Sequence, residues 1–107
     1  MIEKDGKTYV CKLDWSFEII RGKWKAVILC HLLEGTKRFL ELQRITSGVS
    51  HKVLTEKLKE LEDSELIYKK VYNENPPKVE YYLTFKGEEY AMALKHIEKL
   101  GEKYFTH

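Results

Sequence analysis

The sequence predicts an α+β domain, mainly α: a winged helix-turn-helix with one β-hairpin wing and a long C-terminal helix. Three observations carry that expectation. Two helical patterns flank the breaker-rich stretch Thr46-Ser47-Gly48-Val49. Two β-branched and aromatic runs follow, separated by Asn73-Glu74-Asn75-Pro76-Pro77. A long helical pattern then closes the chain. A length of 107 residues suits one domain. It divides into an arm over 1–13, a core with its wing over 14–83, and a closing helix over 84–107.

Asp14 to Ile20 reads as a short helix, with Asp14 placed to cap it and Trp15 and Ile19 on one face. Gly22 breaks it. Lys23 to Leu33 forms a second helix, in which Trp24, Val27, Ile28, His31 and Leu32 hold the spacing of an inward stripe. Ala26, Leu29, Cys30 and Leu33 make its other side apolar too, so this helix is expected at the centre. His31 on such a stripe reads as a core histidine and not a ligand. Gly35 stands where a helix C-terminus favours glycine. Phe39 to Ile45 is a third helix, with Leu42 and Ile45 inward.

Ser50 is placed to cap a fourth helix running to about Ser64. Leu54, Leu58 and Leu61 form its inward stripe, and Lys52, Thr55, Glu56 and Lys59 lie opposite. Leu66 to Tyr72 and Val79 to Leu83 read as strands, with the prolines between them at the tip because they have no amide hydrogen to donate. Thr84 caps the last helix, from Phe85 to about Phe105. There Tyr90, Leu94, Ile97, Gly101 and Tyr104 recur at a heptad-like spacing. Such a helix runs about 30 Å, long for so small a body. The seam is therefore expected to meet a second copy in a homodimer. Tyr81, Tyr82 and Tyr90 read as core and interface residues.

Composition excludes several classes. At 43% apolar residues the chain is globular, and no apolar run approaches the roughly 18 residues that cross a bilayer. The first twelve residues carry charges of both signs and do not resemble a signal peptide, so a cytoplasmic protein with no membrane partner is expected. There is no CxxC pair; Cys11 and Cys30 lie far apart, so neither a zinc site nor a structural disulfide is expected. No Walker loop, GxSxG, HExxH or dinucleotide fingerprint is present, and Glu88 and Glu89 diverge on a helix. The expectation is no enzyme, no catalytic residues, no metal and no cofactor.

The net charge is only +2, but its distribution is uneven. Between Thr36 and Lys59 six basic residues stand against two acidic ones, whereas after Thr84 four lysines balance four glutamates. A polyanion could use the middle of the chain. Duplex DNA asks for cations toward phosphate and a shape that enters a groove. The fourth helix supplies the shape, with Ser50, His51, Lys52 and Thr55 toward base edges, Glu56 able to accept from cytosine, and Lys59 toward phosphate. Lys37 and Arg38 precede the third helix and Lys23 starts the second, each placed to meet backbone phosphate. Lys78 on the wing suits the minor groove; Lys70 equally suits blunting an edge strand. The alternative is a winged-helix module that binds protein and not DNA.

Six pieces in order resemble one family. They are Cys11 with Asp14; Gly22-Lys23-Trp24; Arg38-Phe39-x-Glu41-Leu42; Val49-Ser50 with Leu54-Thr55, Leu58 and Leu61-Glu62; Pro76-Pro77-Lys78-Val79-Glu80-Tyr81; and Leu83-Thr84-x-x-Gly87. The chain thereby resembles the HxlR-type winged-helix regulators, relatives of the MarR group. The resemblance implies dimeric, bacterial-type transcriptional regulators on palindromic operators. In some members an N-terminal cysteine responds to electrophiles or oxidants, which points to Cys11 as a sensor and to a small-molecule or electrophile inducer. Cys11 is followed by Lys12 and precedes the first helix, and a thiol grows reactive beside a cation or a helix N-terminus. Cys30 reads as core.

Overall fold

The fold is a computed structural model describing residues 1–106; His107 lies outside the described residues. Among the described residues there are five helices, a three-stranded antiparallel sheet and a separate two-stranded hairpin. The elements run β1 (Ile2–Lys4), β2 (Lys7–Tyr9), α1 (Lys12–Glu18), α2 (Lys25–Leu33), β3 (Lys37–Arg38), α3 (Phe39–Ile45), α4 (His51–Asp63), β4 (Ile67–Tyr72), β5 (Lys78–Leu83) and α5 (Phe85–Tyr104).

The arm differs from expectation. Residues 1–13 hold a β1–β2 hairpin whose register brackets Asp5-Gly6, both at positive φ. That pair is the favoured loop for a two-residue hairpin. α1 starts at Lys12 with Cys11, not Asp14, at its cap position. Asp14 instead accepts the Val10 N–H at 2.9 Å and places its charge in the first turn, where a helix favours an anion.

α2 begins at Lys25, leaving Lys23 in the bend before it. It is the central helix, burying Ile28, Leu29, Cys30 and Leu32. Val27 and His31, expected inward, instead border a groove of about 310 Å³ between α2 and α5. Val27 is exposed and His31 half-buried, 3.7 Å from Glu34. Lys25 is an unexpected core member: it is buried and its Nζ lies 3.8 Å from Glu60 on α4.

α4 follows its pattern closely. Ser50 Oγ accepts the Val53 N–H at 3.1 Å, and Leu54, Leu58 and Leu61 are buried. α3 turns Leu42 inward, but Ile45 is exposed, which corrects its inward assignment. The wing strands pair from Ile67↔Leu83 to Tyr72↔Lys78. β3, unexpected from sequence, adds a third strand through Lys37↔Tyr81 and Arg38↔Glu80, giving the order β3-β5-β4.

The start of α5 is fixed by three bonds. Thr84 Oγ1 accepts the Gly87 N–H at 3.0 Å and donates to the Glu65 carbonyl at 2.7 Å, and the Thr84 N–H donates to Leu66 at 3.0 Å. α5 then packs on α2, so Leu94 is buried within the chain itself and Tyr90 packs on the same core. Ile97, Gly101 and Tyr104 are exposed.

Candidate nucleic-acid interface

The helix-turn-helix comes from α3, the bend at residues 46–50 and α4. Gly48 has φ +90°, a conformation that side chains with a Cβ rarely adopt. A Cβ there would also stand 3.7 Å from the Trp24 ring, so the bend lies against the start of α2. The Phe39 and His51 rings meet at 4.6 Å, joining the first turns of α3 and α4. Glu41 accepts the Arg38 N–H at 3.0 Å, half of a capping box, since a guanidinium has no acceptor to complete it.

The outer face of α4 exposes His51, Lys52, Thr55, Glu56 and Lys59. Lys52 pairs with no carboxylate among the described residues, and neither does exposed Arg38. Thr55 spends its hydroxyl hydrogen on the His51 carbonyl at 2.8 Å, so its oxygen can accept from a base amino group while its methyl stays outward. Ser50 keeps its own hydrogen free to donate, because its oxygen serves only as acceptor at the cap. Lys59 is held by Asp63 at 2.9 Å, a hydrogen bond that raises its pKa. A phosphate would therefore compete with Asp63 for this ammonium.

The other expected contacts separate. Lys23 is exposed beside the bend, its Nζ 4.8 Å from the Trp24 ring centre. Lys37 stands opposite Tyr81 on the inner side of the sheet, and its Nζ donates to the Gly35 carbonyl at 3.1 Å. The structure thus turns Lys37 inward, whereas Lys52 and Arg38 are each exposed. Lys78 is not a free tip cation: it lies 3.6 Å from Glu80 and 4.9 Å from the Tyr72 ring. Glu80, Tyr72 and Tyr82 were not anticipated as part of this surface. The alternation Lys78, Glu80, Tyr82 carried the signal, but only the register shows what they face.

Cys11 is exposed at the α1 cap position. Cys30 is buried, and burial, reinforced by the Glu98 charge, pushes its thiol pKa up, which suits an inert core residue. Along α1 and α5 runs an apolar groove of about 160 Å³ lined by Leu13, Phe17, Ile20, Tyr90, Ala93 and Ile97, among others. No helix among the described residues is long and apolar enough to cross a membrane.

The HxlR-like helix-turn-helix profile matches residues 19–107, which include every element of this surface. The chain belongs to the HxlR-like helix-turn-helix family. It is 46% identical over 91 residues to the uncharacterized HTH-type transcriptional regulator YtcD of Bacillus subtilis, covering 85% of this chain and 69% of that one. The redox regulator HypR in its oxidised form superposes with a TM-score of 0.85 at 34% identity, over 91% of this chain and all of HypR. The reduced form of the regulator YodB from B. subtilis superposes at 0.75 and 31% identity, over 91% of this chain and 95% of that one. The HxlR-like resemblance read from six short motifs thus extends to the fold.

Proposed function

We propose that this chain is a sequence-specific, double-stranded DNA-binding regulator of transcription, acting as a homodimer on a palindromic operator. α4 enters the major groove and the wing lies beside the minor groove. The observation that carries the reading is the outer face of α4. Its leucines are buried, while Lys52 and Thr55 stand exposed, and Lys52 pairs with no carboxylate among the described residues. A helix face that is polar, basic and uncovered is what the major groove admits. The names of YtcD and YodB, both HTH-type transcriptional regulators, support the same reading.

Fluorescence anisotropy with duplexes from the region upstream of the chain's own gene tests it. Affinity should fall steeply with salt, by about 0.9 in log K per log salt for each phosphate neutralised. Lys52→Ala should weaken operator binding by about 1–3 kcal/mol per half-site if Lys52 reads a base. Affinity that is flat with salt, or indifferent to Lys52, would remove the proposal.

Sensing through Cys11 is the finer part. Its support is exposure at the head of α1, together with the redox regulator HypR among the structural neighbours. Cys11→Ser should bind the same operator but no longer release it on treatment with diamide or a quinone. A variant that still releases DNA normally would assign the response elsewhere.

A further inference from the structure

One face of the wing gathers cations and tyrosines around a single carboxylate. The antiparallel register sets Lys70 opposite Glu80 and Tyr72 opposite Lys78, and sets Arg38 of β3 opposite Glu80 from the other side. Directly opposed residues share a face of a sheet. Tyr82 donates its hydroxyl to Glu80 Oε1 at 3.3 Å and stands 3.0 Å from the Tyr72 hydroxyl. Lys78 Nζ lies 3.6 Å from the same Glu80 oxygen and 4.9 Å from the Tyr72 ring centre. Lys70 Nζ sits 4.8 Å from the Tyr82 ring centre. The side chains of Lys78 and Glu80 are only 27% and 20% exposed, so this pair is much less open to solvent than Lys59–Asp63 on α4, at 72% and 62%. Salt therefore screens it less.

We propose that Glu80 is a specificity-determining residue of the DNA interface: it holds Lys78 on the wing face and cancels its charge, so the wing does not grip a duplex by phosphate attraction alone. The proposal rests on the DNA-binding reading. The loop between the wing strands, residues 73–77, contains no cation and one carboxylate, Glu74, so Lys78 is the cation nearest the tip. A lysine held beside a carboxylate offers phosphate little net charge. A fitting operator, with α4 already seated, can separate the pair; a random duplex without those contacts cannot. The tyrosines make the restraint stiff. Burial favours the neutral Glu80, but the neighbouring Tyr72 and Tyr82 hydroxyls and the Lys78 charge outweigh it and hold its pKa below the usual carboxylate range.

The test is a double-mutant cycle read by salt dependence, on the full chain with a random-sequence duplex. Glu80→Gln keeps the shape and an acceptor for Tyr82 but removes the charge. It should bind the duplex more tightly, with a log K against log salt slope steeper by about 0.9 for each wing. The gain should then grow about 3.5-fold per wing for each fourfold dilution of salt. Lys78→Ala and Lys78→Ala/Glu80→Gln should share one slope, because the freed cation is gone. Glu74→Gln, the same charge change at the tip, should leave the slope where it was. Tyr82→Phe removes a donor to Glu80 without changing charge; it should steepen the slope less, and it carries the test if Glu80→Gln does not fold. An unchanged or weaker Glu80→Gln, a gain that survives in the Lys78→Ala background, or an equal gain in Glu74→Gln overturns the proposal. Failure of the DNA-binding reading shows differently: the unmodified chain and Lys52→Ala would then bind operator and random duplex alike, or not at all.

Discussion

Gly87→Ala should destabilise the chain by about 1–3 kcal/mol, although alanine is the better helix former. Gly87 is buried in the first turn of α5. A Cβ there would overlap the Leu66 carbonyl oxygen, stand 2.9 Å from its carbonyl carbon and meet Leu83 Cδ2 at 3.2 Å. The first two are backbone atoms of a fully buried residue, and that carbonyl already accepts the Thr84 N–H. They cannot swing aside as a side chain would. Relief requires α5 to lift from the junction of α4 and β4, which would strain the Thr84 bonds that start the helix. Urea melts give the loss directly, and for a domain of this size each kcal/mol should lower the melting temperature by about 4–8 °C. Gly101→Ala is the control, since no atom lies within 4 Å of its Cβ position in the single chain. A Gly87→Ala protein as stable as the parent would show that this junction is looser than its geometry implies.

The same residue shows where sequence reading stops. Gly87 belongs to the Leu83-Thr84-x-x-Gly87 piece of the family resemblance, but nothing near it in sequence explains the glycine. Its reason is Leu66, which is adjacent only in space. α4 is the opposite case: a serine cap, a leucine stripe and a polar outer face are all local, and the helix was legible almost to the residue. Local signals could also be missed when short. Asp5-Gly6 announces a hairpin, yet its strands have three residues each and little apolar pattern. β3 has two residues and exists because β5 offers it an edge. Lys25 reads as a surface lysine until α4 brings Glu60 beside it. On the candidate interface, the exposure of Lys52 and Arg38 followed from helix periodicity and position. The fates of Lys37 and Lys78 did not, because each is decided by a partner that only folding supplies.

Ile97→Glu should leave the single chain nearly as stable as before and still weaken operator binding by about 10²–10⁴-fold. The heptad-like seam on α5 splits into a part buried within the chain and a part left exposed. Tyr90 and Leu94 serve the chain's own core, so changing Leu94 would confuse folding with assembly. Ile97 is 52% exposed, and past it Leu100 and Tyr104 are exposed as well. α1 buries no residue of its own, and Leu13 and Phe17 stand exposed along the groove that Ile97 helps to line. An apolar surface shared by two helices and rimmed by charge favours association. A second copy of the same surface can cover it by two-fold symmetry. Glutamate at position 97 would then carry an anion from each chain into a region losing its water, a cost borne only by the dimer. Separated protomers keep every contact of α4 with one half-site but lose the second as an intramolecular event, and that effective concentration is worth about 10²–10⁴ in avidity. Sedimentation should show the parent as two chains and Ile97→Glu as one. Anisotropy should show the variant's affinity for a single half-site unchanged. A variant that remains two chains and binds the full operator normally would place the assembly surface elsewhere and leave the exposed half of α5 without this role.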